Sequence, residues 1–311
     1  MVAAEADALT GHFTAERRGL LAHSYRMLGS WDDAEDVVQE TYMRAWRGWA
    51  GFAGRSSVRV WLYRIATNAC LTALEGRSRR ALPSGLGGPS DDPAAPPDVA
   101  GPETWIQPIP TSLVSPDPAA VVTARESVRL ALIAGLQFLP PRQRAVLLLR
   151  EVLAFPAAEV ADMLDTTVAA VKSTLQRARA QLEEVAPARD DIAEPTEPRA
   201  RELLDRYMAA WERSDVDAFR DVLRADAALE PLPSRTWFAG KRTCVDSVRP
   251  FLGAPGDWRM VAISANGQPA AATWFRGQPY GIAVLTPAPD GIARLTVFGD
   301  PALAGRFTGE P

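Results

Sequence analysis

The chain has 311 residues, 34 basic and 38 acidic side chains, and a formal net charge of −4. That length suggests two domains or three small ones, and 47% hydrophobic with 23% charged residues excludes wholesale disorder. No apolar run approaches the ~20 residues of a membrane helix, no secretory signal is visible at the N-terminus, and the expected setting is the cytoplasm without membrane contact. Two cysteines, Cys70 and Cys244, supply neither a disulfide framework nor a four-cysteine zinc site. Both histidines, His12 and His23, lie near the start, so nothing downstream can use histidine catalysis.

Taken in chain order, residues 9–80 read as helical. Ala34, Val37, Val38, Thr41, Tyr42, Ala45, Trp46 and Trp49 share one face, behind a capping box at Ser30 and Asp33. Val58, Trp61, Leu62, Ile65, Ala66, Ala69 and Ala73 mark another helix, with Arg59, Arg64, Thr67 and Asn68 on its polar face. Residues 81–118 hold ten prolines, five acids and no base, the composition of an extended linker. Residues 119–185 are helical again, broken at Leu139-Pro140-Pro141. A second break at 186–198 precedes a tail at 199–311. The tail begins with amphipathic helices around Tyr207 and Phe219 and a third at about 242–252. Period-two runs at 258–265, 270–276, 280–286 and 292–298 follow, punctuated by Asn266-Gly267 and Asp290-Gly291. Helices followed by antiparallel strands indicate α+β. The linkers hold the excess acid: residues 81–117 carry −5 and 186–198 carry −3, while 1–80, 118–185 and 199–311 stand at +2, +1 and +1.

Three constellations carry candidate chemistry. Ala161, Leu164, Val168 and Val171 fit a helix-turn-helix, whose second helix presents Lys172, Ser173, Gln176, Arg177 and Arg179 toward phosphates and base edges. The alternative is two packed helices of a bundle, and Asp165 is an unusual charge in the turn. The acids Asp32, Asp33, Glu35 and Asp36 suit the positive end of a helix better than a metal, but Asp36, Gln39, Glu40 and Met43 share an outward face fit for a partner. The aromatic and basic surface of 52–80 suits single-stranded DNA. Gly240-Lys241-Arg242-Thr243 lacks the glycine and hydroxyl of a phosphate loop. No cofactor or metal is expected.

The run Asp33-Ala34-Glu35-Asp36-Val37-Val38-Gln39-Glu40-Thr41-Tyr42-Met43-Arg44-Ala45-Trp46 closely resembles the core-binding helix of extracytoplasmic-function (ECF, group IV) sigma factors. Trp61-Leu62-Tyr63-Arg64-Ile65-Ala66-Thr67-Asn68 resembles their promoter-melting helix. Leu139-Pro140-Pro141-Arg142-Gln143-Arg144 and Val171-Lys172-Ser173-Thr174-Leu175-Gln176-Arg177-Ala178-Arg179 resemble their domain 4. The resemblance implies sigma domain 2 at 9–80 and sigma domain 4 at 119–185. It implies core RNA polymerase (β′ and β subunits) and promoter DNA as partners. Asp33, Asp36, Gln39 and Glu40 would dock on the polymerase, with Asp36, Gln39 and Glu40 matching the face for the β′ clamp helices. Trp61, Arg64 and Asn68 would open and read the −10 element, with Arg77, Arg79 and Arg80 near its backbone. Lys172, Ser173, Gln176, Arg177 and Arg179 would serve the −35 element, and the acidic linker would thread toward the RNA-exit path.

Residues 199–311 resemble a SnoaL-like cone with a curved antiparallel sheet, as in a tailed, SigG-like subgroup that also shares Thr104-Trp105-Ile106-Gln107-Pro108-Ile109-Pro110. Such a cone has a pocket, for which Tyr207, Trp211, Trp237, Phe238 and Trp274 are candidates, with Phe219, Leu232, Phe251 and Trp258 nearby in type. No placed acid or base stands out there, so the tail is expected to regulate by contacting the sigma domains, with a small-molecule ligand as a further candidate partner, and no enzyme activity is expected. The competing reading is a SnoaL-like small-molecule enzyme fused to DNA-binding helices.

Overall fold

The computed structural model describes residues 2–114, 128–185 and 197–309. The break at 186–198 lies outside the described residues except for 197 and 198. Contacts divide the chain into two compact units. One holds the described parts of Met1–Arg80 and Ile106–Pro187, and the other holds Ala81–Trp105 with the described parts of Ala188–Pro311.

The first unit is all-α. Helix α1 (Val2–Leu28) turns at Gly29, whose φ of +67° favours glycine, into α2 (Trp31–Gly48). Ser30 caps α2 by accepting from the Asp33 N–H at 3.2 Å, and Ser57 caps α3 (Val58–Ala73) in the same way. After the short α4 (Thr111–Val114) come α5 (Leu130–Gln137) and α6 (Pro141–Leu147), the latter extended by a π turn over Leu148–Val152. The pair α7 (Ala157–Met163) and α8 (Val168–Val185) completes the unit. Proline sets these boundaries: Pro140 and Pro156 sit just ahead of α6 and α7, where a missing N–H costs nothing.

The helical stripes are buried largely where their periodicity puts them, with three differences. Trp46 is 47% exposed and Val168 39% exposed, although both fall on apolar stripes. Thr67, assigned to a polar face, is fully buried and bonded to His23 Nε2 at 2.9 Å.

The second unit is α+β. Helices α9 (Glu197–Glu212), α10 (Val216–Val222) and α11 (Lys241–Val248) accompany strands β1 (Leu223–Leu232), β2 (Phe238–Ala239), β3 (Trp258–Ala265), β4 (Gln268–Phe275), β5 (Gln278–Ala288) and β6 (Gly291–Phe298). A last helix, α12 (Pro301–Thr308), follows. The sheet order is β2-β1-β6-β5-β4-β3. Asn266 and Gly267 both take positive φ and close the β3–β4 hairpin, as that dipeptide predicts. The sheet is not wholly antiparallel: β1 runs parallel to β6, from Leu223↔Ile292 to Leu232↔Phe298. The chain between them, with α11 and the β3–β5 meander, is long enough for the crossover that a parallel pair requires. Leu204, Tyr207, Trp211 and Phe219 from the helices pack with Ala271, Ala283, Leu285 and Leu295 from the sheet into one core.

The proline-rich segment keeps the extended and turn-like backbone that proline imposes, yet it is not a free spacer. Within the second unit it is tied by Ser90 N–H to the Trp237 carbonyl (2.7 Å), Arg235 N–H to the Asp98 carbonyl (2.7 Å) and Ala100 N–H to the Pro233 carbonyl (3.0 Å). Its continuation enters the first unit, where Ile106 and Ile109 are fully buried. There Gln107 accepts from Ser30 Oγ at 2.7 Å and donates to Asp32 Oδ2 at 2.9 Å.

Candidate functional site

On α2, burying Ala34, Val37, Val38, Thr41 and Ala45 leaves Asp36, Gln39, Met43 and Trp46 exposed together, with Glu40 half-buried beside them. Asp36 and Glu40 border a shallow hollow with Arg44 and the α3 residues Ala69, Thr72 and Ala73. Asp33 borders the same hollow but is engaged by two arginines. It holds Arg77 and Arg80, both at 2.9 Å, and these arginines draw its pKa below the usual carboxylate range against the opposing effect of burial. Its acid therefore fixes the segment that follows α3 against the start of α2.

The residues expected at the −10 element are only partly gathered. Trp61 packs with Trp49 and Phe52 (ring centroids 5.9 and 4.9 Å), so one aromatic cluster stands at the mouth of the α2–α3 loop. Arg64 is exposed but pairs with Asp165 at 2.9 Å. Asn68 is half-buried. Arg79 lies over the Phe138 ring at 3.7 Å, and Arg77 and Arg80 are committed to Asp33.

The helix-turn-helix is geometrically complete. Asp165 occupies the left-handed region (φ 49°), which its short polar side chain tolerates. Thr166 N–H reaches the Ala161 carbonyl at 2.9 Å, and Thr167 Oγ1 accepts from Ala170 N–H at 3.1 Å. Val171 and Ala178 are buried, so Lys172, Ser173, Gln176 and Arg177 point outward along one face of α8. Arg179, also exposed, is paired with Glu151.

Sequence reasoning missed the part played by Arg144. This 3%-exposed guanidinium donates to the Gln137 side chain (2.7 Å), to the Gln137 and Leu139 carbonyls (both 3.1 Å) and to the Met27 carbonyl. It thereby joins the end of α1 to the Pro-Pro break, and burial lowers its pKa to about 10, still charged at neutral pH. The motif containing it was legible; its buried position was not, since a lone arginine in sequence reads as surface.

The second unit contains a cavity of about 600 Å³. Tyr207, Trp211 and Phe238 line it, as do Leu232, Phe251 and Trp258. Trp237 does not: its indole N–H is turned to the Gly87 carbonyl at 2.8 Å. Trp274 does not either, lying under the Arg259 guanidinium at 3.8 Å, and Phe219 belongs to the packed core. Tyr280, Thr273 and Met260 were missed, as was a whole wall formed by the linker residues Pro93–Pro97 and Val99. None of the described residues lining the cavity is charged, so it offers no carboxylate or imidazole for acid–base chemistry. Among the described residues no cluster of histidine, cysteine or acids could hold a metal ion, and no helix is long and apolar enough to cross a membrane.

Residues 12–80 match the family "Sigma-70 region 2" and residues 129–182 match "Sigma-70, region 4". The chain is 48% identical, over 97% of its length and 85% of the relative's, to the ECF RNA polymerase sigma factor SigG of Mycobacterium tuberculosis. It is 32% identical to SigJ of the same organism, over 69% of this chain and 62% of that one. The crystal structure of SigJ superimposes with a TM-score of 0.61 at 25% identity, covering 97% of this chain and 99% of the other, tail included.

Proposed function

The chain belongs to the ECF RNA polymerase sigma factors, and from that premise we propose how its residues divide the work of transcription initiation. The exposed face of α2 (Asp36, Gln39, Glu40 and Met43, extended by Trp46) docks on the β′ subunit of core polymerase. An aromatic and methionine surface rimmed by polar groups is the composition that interface cores favour, and it explains why Trp46 stays 47% exposed. Asp33 acts one step back, holding Arg77 and Arg80.

Lys172, Ser173, Gln176 and Arg177 on α8 meet the −35 element, with the basic groups on phosphates or guanine and Gln176 on adenine. The outward set of α8, with its opposite face buried, is the observation that carries this reading. Trp61, Arg64 and Asn68 serve the −10 element. Arg64 first leaves Asp165, and Arg77, Arg79 and Arg80 act mainly as internal braces of the helical unit. The tail modulates these steps without catalysis, as its uncharged cavity supports, and the protein works in the cytoplasm beside its polymerase.

The test is run-off transcription with core polymerase on the promoter region of this protein's own gene. Asp36→Arg is expected to lower core binding at least tenfold with the fold intact, because it reverses the charge of an exposed side chain within the proposed interface. A 1–190 truncation is expected to differ in activity from the full chain. Equal activity with and without the tail overturns modulation. Unaltered core binding by Asp36→Arg overturns the α2 assignment.

A further inference from the structure

Ser247 and Thr273 hydroxyls on the cavity wall already donate to the Cys244 and Gly281 carbonyls, and Thr236 donates to Pro96. The indole N–H of Trp211, a residue 93% buried by its 7% exposure, has no partner. The phenols of Tyr207 and Tyr280 also line the space, and burial raises the pKa of both, keeping them protonated donors. An uncharged wall, a buried unpaired donor and a volume of about 600 Å³ describe a binding site for a neutral ligand.

The linker makes one side of that site. Its docking rests on Glu230, a fully buried carboxylate that accepts from Ser84 N–H at 3.1 Å and Thr296 Oγ1 at 3.2 Å and pairs with Arg294 at 2.9 Å. Docking also closes the linker into a loop: Ala81 N–H reaches the Thr104 carbonyl at 2.8 Å, and Ala81 bridges Trp105. The ends of a 25-residue segment (Ala81–Trp105) that could extend roughly 80 Å are thus held side by side.

We propose that this cavity binds a neutral, mainly apolar small molecule bearing an oxygen acceptor for the Trp211 indole, and that its occupancy holds the interdomain linker closed on the tail. A ligand touching both walls gains those contacts only while the linker is docked, so binding and linker release oppose one another by linkage. This deepens the tail-modulation reading by naming the ligand class and the element it acts on.

The probe is Nile red, a neutral apolar carbonyl compound, titrated into the full-length protein and competed with 2-dodecanone or dodecanoate. Saturable binding is expected, with the ketone competing at least tenfold better than the carboxylate, since no cation lines the cavity. Trp211→Phe keeps the ring and removes the N–H; it is expected to weaken the ketone about five- to tenfold. Val99→Asp, at a position 62% exposed, is expected to weaken it as well. With 2-dodecanone, hydrogen exchange at the Ser84, Ser90 and Ala100 amides is expected to slow several-fold. No saturable binding, dodecanoate matching the ketone, or indifference to both substitutions overturns the site. Binding without slower exchange at those amides overturns the coupling. Equal activity of the truncated and full-length chains, with ketone binding by the full chain retained, instead strikes the regulatory reading alone.

Discussion

His23 is fully buried between Thr67, which meets its Nε2, and the Tyr63 ring at 5.7 Å. Burial, with the nearby charge of Arg26, lowers its pKa from 6.5 to about 3, so the folded chain holds it neutral. The unfolded chain protonates it near pH 6.5. Between those values the unfolded state binds more protons, and stability falls as pH falls. This one group is expected to remove about 2 kcal/mol between pH 7 and pH 5. Urea unfolding of the wild type and of His23→Gln, whose amide can still meet Thr67, should show the slope flattening in the variant. Arg144 illustrates the complementary case. Its charge survives burial because four acceptors surround it, and those acceptors come from the ends of α1 and α5 and from the Pro-Pro break, which no local pattern brings together.

At the level of single helices and strands, periodicity was a good guide wherever one face is buried. The stripes of α2 and α3, the turn before α8 and the hairpin at Asn266-Gly267 all follow from local rules. Elements whose partners are distant in sequence were not readable. Strand β1 continues directly from α10, and the spacing of Phe219, Val222 and Leu223 reads as one helical stripe. It becomes a strand because β6, some 70 residues on, pairs with it. Gly281 is another such position. Its ideal Cβ would lie 1.9 Å from the Phe298 carbonyl oxygen, where β5 meets β6 beside the irregular β4–β5 register. Gly281→Ala is expected to cost about 3 kcal/mol, read as a lowered thermal midpoint of the tail. Gly277→Ala is a useful comparison: it has open space but also positive φ, so it reports backbone strain without the clash.

Both candidate DNA readers lie within the first compact unit, whose 162 residues imply a radius of gyration of roughly 15 Å. The −35 and −10 elements are roughly 25 base pairs, or roughly 85 Å, apart on B-DNA. On the proposed assignment of α3 and α8, one compact unit of that size does not reach both elements at once, and promoter engagement would have to open it. Arg64–Asp165 is a contact that opening breaks. Both partners are well exposed, which limits the pair to about 1 kcal/mol or less. Asp165→Ala is therefore expected to raise affinity for a single-stranded −10 oligonucleotide by no more than about fivefold, and Arg64→Ala to lower it. Fluorescence anisotropy of the labelled strand checks both; no change in either variant removes Arg64 from the −10 site.

Local motifs alone were enough to establish the family, the two DNA-reading helical segments, the α+β tail and most of the outward-facing residues, because each depends on contacts within a few turns of chain. Net charge is the instructive example. An overall −4 counts against nucleic acid only while the chain is taken as uniform; divided by segment, the excess acid lies in the linkers. Folding in three dimensions decided the rest. It turned a linker that reads as a solvated spacer into a wall of the tail cavity, and it drew Asp33, Arg77, Arg80 and Arg144 from surface roles into internal bonds. It also moved Trp237 and Trp274 out of the cavity and brought Tyr280 in. These outcomes rest on hydrogen bonds and packing between residues as far as 210 positions apart, such as Arg294 Nη1 to Ser84 Oγ at 3.2 Å, and no property of either residue alone encodes such a partner.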